Sequence, residues 1–204
     1  MAPATPRHVV RDPDAKKRRI LEAARRLLIE RDFADIVLDD IAKRADVAKG
    51  TLFLYFKNKE ELFSAAFADL ADGLGLELDA LSKTGLRGKE MLVAAARVML
   101  EHFDRNRDFM GQIGAGRMPS CGPRSHEKLL DKFRANHGHL RRILALASKD
   151  DGKSIKDLEY AAAAFIGLCR SAAVRKLVYG KSGSLEKEAE HVAAFFAGGS
   201  GIEL

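Results

Sequence analysis

Several residue types are scarce in this chain of 204 residues, and each scarcity excludes a class of protein. There is no tryptophan, and only Cys121 and Cys169 carry thiols, too few for a disulfide framework but compatible with a reducing compartment. No apolar run reaches the roughly 18 residues of a membrane-spanning helix, and the N-terminus lacks the apolar core of a secretory signal. The sequence therefore predicts a cytoplasmic protein without a membrane partner.

The overall composition is that of an ordinary globular protein. Hydrophobic residues make up 47% of the chain and charged residues 31%, far from the composition of disordered chains. The formal net charge of +6 favours an anionic partner. Many basic proteins bind no nucleic acid, so charge alone is weak support for that function.

The region 38–59 has the pattern of two short helices joined by a tight turn. One apolar face at helical spacing is formed by Leu38, Ile41, Ala42 and Ala45, and a second by Leu52, Phe53 and Phe56. In a helix-turn-helix, the second helix lies in the major groove with its N-terminal residues nearest the base edges. The residues expected there are Lys49, Gly50, Thr51 and Leu52, and the missing side chain of Gly50 would let the backbone approach DNA closely.

From Ile41-Ala42 through Lys49-Gly50-Thr51-Leu52 and Tyr55-Phe56 to Lys59, the sequence resembles the N-terminal motif of the tetracycline-repressor (TetR) family of bacterial transcription regulators. The resemblance covers about the first third of the chain. It implies an all-α protein with a three-helix DNA-binding domain and a helical ligand-binding and dimerisation domain. It also implies a homodimer that binds a double-stranded DNA operator, responds to a small-molecule effector and needs no cofactor.

This chain departs from the family pattern at five positions. Asp32 and Asp46 stand where glycine is usual, although Asp tolerates left-handed backbone better than most residues. Val37 and Ala48 replace hydroxyl side chains that would cap the two short helices, at about 1 kcal/mol each. Phe53 replaces a tyrosine that often meets DNA, so phosphate binding is expected to depend on Tyr55, Lys59 and Lys49.

Boundaries follow from capping and turn residues. Residues 1–11 are predicted to be a flexible arm and 12–58 the DNA-binding domain. Asn58 and Glu61 form a capping box that starts a connecting helix over 59–81, with Lys59 placed at its positive end as a phosphate clamp. Residues 82–204 are predicted to be a regulatory and dimerisation domain.

Two sets of residues are predicted for that domain. An effector cavity would be lined by Phe103, Phe109, Met110, Met118, Phe133 and Phe165. A four-helix dimer interface would include Phe165, Cys169, Ala172, Ala189, Val192 and Phe196. Either set has the pattern of ordinary core equally well.

Catalysis and metal binding are not predicted. His137 and His139 lie two residues apart and would point in different directions on a helix, which argues against a zinc site with His126 and Cys121. Ser120 and Cys121 lie near His126, but no nucleophile-elbow pattern is present. The chain is therefore expected to be a ligand-responsive repressor rather than an enzyme. The alternatives are an architectural protein that binds DNA nonspecifically and, less favoured, a helical hydrolase.

Overall fold

A computed structural model describes residues 13–109, 123–148, 155–180 and 183–200. These residues form helices and contain no strand, which confirms the all-α prediction. The α-helices are α1 (Pro13–Glu30), α2 (Leu38–Arg44), α3 (Lys49–Tyr55), α4 (Lys59–Ser82), α5 (Gly88–Arg105), α6 (Pro123–Ala147), α7 (Leu158–Tyr179) and α8 (Leu185–Ser200). A short 3₁₀ turn, Phe33–Asp35, lies between α1 and α2.

The N-terminal core is built where α1, α2 and α3 meet the first half of α4. Its fully buried side chains include Ile20, Leu28, Ile41, Leu52, Leu62 and Phe63. The predicted inner face of α2 is confirmed, since Ile41 and Ala42 are buried and Ala45 follows them into the core. Phe109 and Leu129 join the same core from the C-terminal half of the chain.

A second core lies between the last turns of α4 and helices α5 to α8. Its buried side chains include Leu78, Met91, Leu92, Leu144, Phe165 and Ala193. The helical domain that follows the helix-turn-helix is therefore present as predicted. Because α4 contributes Leu62 to the first core and Leu78 to the second, one continuous helix joins the N-terminal core to this domain.

Helix α4 begins as the sequence predicts. The Asn58 side chain accepts a hydrogen bond from the Glu61 backbone N–H at 2.8 Å, and the Glu61 carboxylate accepts one from the Lys57 backbone N–H at 2.9 Å. Asn58 thus satisfies one backbone donor of the first turn, while Glu61 reaches back to the residue before the cap rather than to the Asn58 N–H of a standard capping box.

Helix α4 crosses α6 closely at one point near the middle of the molecule. The buried Asn136 side chain donates from Nδ2 to the Ala71 carbonyl at 2.8 Å. A Cβ on Gly75 would lie 2.7 Å from Asn136 Oδ1, closer than van der Waals contact allows. Gly75 therefore lets the two helices approach and keeps Asn136 on its carbonyl.

The predicted dimer-interface residues prove to be core of the single chain. Phe165, Cys169 and Ala189 are fully buried, and Val192 and Phe196 are nearly so, while Ala172 packs against the same core. The rings of Phe165 and Phe196 meet edge to face at 5.1 Å. Side chains buried this far within one chain are not presented to a second, which argues against an interface through these residues, except for the half-buried Ala172.

The predicted effector-lining residues are not brought together either. Phe109 stacks on Phe67 at 4.5 Å in the N-terminal core, whereas Phe165 belongs to the second core. Phe133 is 47% exposed on α6, and Phe103 only packs partly against the second core. The four described members of this set therefore do not line one cavity. The remaining two members, Met110 and Met118, lie outside the described residues.

None of the helices in the described ranges has the length and apolar character needed to cross a membrane.

Candidate nucleic-acid interface

The turn between α2 and α3 depends on an aspartate in left-handed backbone. Asp46 has φ of +52° and is the residue that the sequence places at the usual glycine position. Arg19 of α1 reaches this turn, with both Asp46 Oδ2 and the Asp46 carbonyl 3.4 Å from its guanidinium. The turn survives the loss of glycine because an aspartate tolerates this conformation.

Neither α2 nor α3 has a side-chain cap at its start. Val37 and Ala48 precede α2 and α3 in extended backbone, and neither makes a capping hydrogen bond from its side chain. The prediction of two uncapped starts is confirmed. The two helices are instead held by packing, with Ile41 and Leu52 both at 0% exposure between them.

Of the three residues predicted to face inward from α3, Leu52 and Phe56 do so and Phe53 does not. Leu52 and Phe56, four residues apart, are buried, so the assignment of the Leu52 side chain to DNA contact is wrong. Phe53, predicted to be buried beside them, is 45% exposed, and Leu54 is 85% exposed. A residue one position further along a helix is turned by about 100°, which carries Phe53 and Leu54 away from the core.

The first turn of α3 presents Lys49, Gly50 and Thr51. Lys49 and Gly50 are exposed, Thr51 is half-buried, and a Cβ on Gly50 would meet nothing within 4 Å. Lys49 Nζ lies 2.7 Å from Asp39 Oδ1 of α2. This ion pair lies at the surface, where such pairs contribute at most about 1 kcal/mol, so a phosphate or base edge can compete for the ammonium.

Lys59 faces inward, contrary to its prediction as a phosphate clamp. Its ammonium donates to the carbonyls of Phe33, Ala34 and Ile36 at 2.7, 3.2 and 3.1 Å. The same Nζ lies 4.4 Å from the centre of the Phe33 ring, which in turn contacts Phe63 edge to face. Because an ammonium has three donors, all three are used within the protein, and the phosphate assignment is wrong for this geometry.

Tyr55 and Lys57 complete the end of the reader. Tyr55 is half-buried, with its ring 6.4 Å from that of Phe56, and Lys57 is exposed in the turn before α4. The sequence analysis named Tyr55 but missed Lys57. Helical spacing gave no signal for Lys57, because α3 ends at Tyr55 and the backbone at Phe56 is extended.

Ion pairs fix α2 against the rest of the domain. Arg31 Nη1 lies 2.8 Å from Asp40 Oδ2, and Arg44 pairs with Glu30 at the end of α1. The hydrogen bond from Arg44 holds the pKa of the Glu30 carboxyl below its usual value. Both guanidiniums are thus already engaged with carboxylates.

The described residues also offer no metal or nucleophilic site. No three His, Cys, Asp or Glu side chains among them are grouped as metal ligands. Burial raises the pKa of the Cys169 thiol to about 12, which keeps it protonated and unreactive. Ser120, Cys121 and the side chain of His126 lie outside the described part.

Comparison with known proteins identifies the reader. Residues 20–66 match the family model described as bacterial regulatory proteins of the tetR family. The HTH-type transcriptional regulator YhgD of Bacillus subtilis (strain 168) is 35% identical over 86 residues, which are 42% of this chain and 45% of that protein. The chain thus spans about half the length of this curated relative.

Solved structures extend the likeness in fold to nearly the whole chain. The fatty acid degradation regulator FadR of Bacillus halodurans has a TM-score of 0.74 at 18% identity, over 99% of this chain and 100% of the other. FadR of Bacillus subtilis, solved in complex with stearoyl-CoA, has a TM-score of 0.73 at 20% identity, over 91% of this chain and 99% of the other.

Proposed function

We propose that this chain, whose residues 20–66 match the family model of the tetR bacterial regulatory proteins, is a homodimeric, ligand-responsive transcription regulator that represses genes from a pseudo-palindromic operator. The observation that carries the proposal is the exposed outer face of α3, braced by α2 within the matched residues 20–66. In this proposal residues 12–58 are the DNA-binding domain, 59–81 the connecting helix and 82–204 the regulatory and dimerisation domain. The protein acts in the cytoplasm.

In this proposal α3 enters the major groove and α1 and α4 support it from behind. Lys49 and Thr51 contact base edges, with Lys49 leaving Asp39 to do so. Gly50 brings the backbone close to the groove, because nothing of the protein occupies the space a side chain would fill. Tyr55 and Lys57 contact phosphate at the other end of the helix, while Lys59 holds the domain together.

The dimer is proposed to form through the outer face of α7 and α8 rather than the buried face. Tyr160, Val174 and Val178 of α7 are exposed, and Phe195 of α8 is 77% exposed. On α7 these residues share a stripe with Ala163 and Gly167, at spacings of three, four and seven residues. Small residues in such a stripe permit close helix packing, so two copies would build a four-helix interface.

The effector is proposed to act through α4 and α6, which both span the two cores. Leu129 of α6 packs in the N-terminal core and Leu144 in the second, with the Asn136–Ala71 hydrogen bond between them. A ligand that favours another arrangement of these helices would change the spacing of the two readers and weaken DNA binding. Stearoyl-CoA is the first probe to test, because a protein of similar fold binds it.

The experiment is selection of duplexes from a random library by the purified protein. The proposal predicts an inverted repeat whose two half-sites are about one helical turn or a multiple apart. A nonspecific architectural protein would enrich no common sequence, and a hydrolase would show turnover independent of Lys49. Addition of stearoyl-CoA or another effector should release the selected duplex, and the absence of any enriched repeat would contradict the proposal.

A further inference from the structure

The outer face of α3 carries an apolar ridge, defined here as Phe53 and Leu54. Leu54 is 85% exposed and Phe53 is 45% exposed. Single exposed apolar side chains are normal, but these two are adjacent on the helix that the proposed function places in the major groove. Leu52 of this helix and Phe56 directly after it are buried, so the ridge is not needed to build the core.

The ridge shares its helix face with a glycine and is followed by a lysine in the next turn. Phe53 and Leu54 lie three and four residues after Gly50, the spacing that places side chains on one side of a helix, and Lys57 follows after the extended backbone at Phe56. Gly50 leaves open space at one end, and Lys57 is exposed just beyond the other. An apolar strip with a cation beside it fits a surface that is anionic at its edges and apolar in patches.

The major groove of DNA is such a surface. Phosphates line its edges, and each thymine presents a C5-methyl group on its floor. Leucine and phenylalanine have no hydrogen-bonding group, so they cannot read donors or acceptors on base edges. Their only selective contact there is apolar, and the thymine methyl is the apolar group that distinguishes bases in this groove.

We propose that Leu54, with Phe53 beside it, is a specificity-determining residue that contacts thymine methyl groups in the operator half-site. This inference rests on the proposed function, because it requires α3 to lie in the major groove. It assigns Lys49 and Thr51 to hydrogen bonding and the ridge to thymine recognition. Selected duplexes are therefore expected to contain at least one fixed thymine in each half-site.

The test removes the methyl groups without changing any hydrogen bond. In a duplex selected by the protein, each half-site thymine is replaced in turn by deoxyuridine, and affinity is measured at fixed salt. Loss of one buried methyl group is expected to weaken binding by wild-type protein about fourfold at one or two positions. Leu54→Ala should bind the thymine and deoxyuridine duplexes with nearly equal affinity.

Leu76→Ala is the matched control, because Leu76 is 74% exposed on α4 and is not part of the ridge. It should retain the full fourfold preference for thymine. Far-ultraviolet circular dichroism checks that both variants are folded, as expected for substitutions at exposed positions. The measurements on wild-type protein with deoxyuridine duplexes need no variant.

Three results would overturn the inference. In the first, wild-type protein binds every deoxyuridine duplex as tightly as the thymine duplex. In the second, the preference for thymine persists in both Leu54→Ala and Phe53→Ala. In the third, the selected half-sites contain no fixed thymine. In each case specific binding itself remains, so the proposed function stands. A protein that selects no duplex at all contradicts both the inference and the proposed function.

Discussion

Lys59 offers the sharpest test of the reader, because sequence and structure assign it opposite roles. We expect Lys59→Met, which keeps the aliphatic stem and removes the ammonium, to lower the free energy of unfolding. Three charge-assisted hydrogen bonds to the carbonyls of Phe33, Ala34 and Ile36 are lost, together with the contact over the Phe33 ring.

The expected size follows from these contacts. A hydrogen bond to a charged group contributes about 1.5–3 kcal/mol, and a cation–π contact at a partly exposed site about 0.5–1 kcal/mol. Water can reach some of the freed carbonyls, since one of the three bonds is exposed, so the sum is an upper bound. We expect a loss of about 3 kcal/mol, seen in urea titration as a lower midpoint with an unchanged slope.

Lys57→Met is the matched control, two residues away and exposed. It should change the free energy of unfolding by less than about 0.5 kcal/mol. Its effect should appear in DNA binding, where loss of one phosphate contact lowers the slope of log affinity against log salt by about 0.9. Lys59→Met should leave that slope unchanged. The reverse result, a lower slope and full stability for Lys59→Met, would refute the reasoning and restore Lys59 as a phosphate contact.

Four further variants test the packing, a buried histidine and the dimer. Gly75→Ala should destabilise the chain by about 1–3 kcal/mol, because its Cβ would displace Asn136. Gly73 lies on the same helix in open space, so Gly73→Ala should stabilise the chain by about 0.5–1 kcal/mol. Equal effects of the two variants in urea titration would count against the close approach of α4 and α6. Burial lowers the pKa of His102 below its ordinary value of 6.5, so the unfolded state binds more protons than the folded state. The free energy of unfolding should therefore fall as the pH drops below about 6.5. In urea titrations between about pH 5 and 7, His102→Gln should reduce this fall. Phe195→Glu should yield a folded monomer in sedimentation, and an unchanged dimer would remove α8 from the proposed interface.

The N-terminal domain was largely predictable because its signals are local. The pattern of Ile41 and Leu52, the capping residue Asn58 and the turn residue Asp46 each act within a few positions of the chain, and the structure agrees with all of them. Helical periodicity also predicted that the rest of the chain is helical. It did not predict which stripe of α7 faces inward, because Phe165 and Val174 both occur at apolar helical spacing.

The remaining errors concern contacts between residues far apart in sequence. Lys59 reaches carbonyls more than twenty positions earlier, and no local pattern distinguishes that from a phosphate contact. Phe109 and Phe165 were both predicted to line one cavity. Phe109 packs in the N-terminal core and Phe165 in the second core, and no local pattern distinguishes the two. For Phe53, the apolar side chain suggested burial although the family tyrosine at this position often meets DNA, and the helical phase set by Leu52 and Phe56 turns it outward.

The central claim is that α3 gives this protein sequence-specific binding to DNA. The most direct test is the ratio of its affinity for a selected duplex to its affinity for a scrambled duplex of the same length and composition, measured at one salt concentration. The account predicts a ratio of about 10³ or more, as is typical of specific DNA-binding proteins. A ratio near one at that salt concentration would contradict the account and favour nonspecific, charge-driven binding.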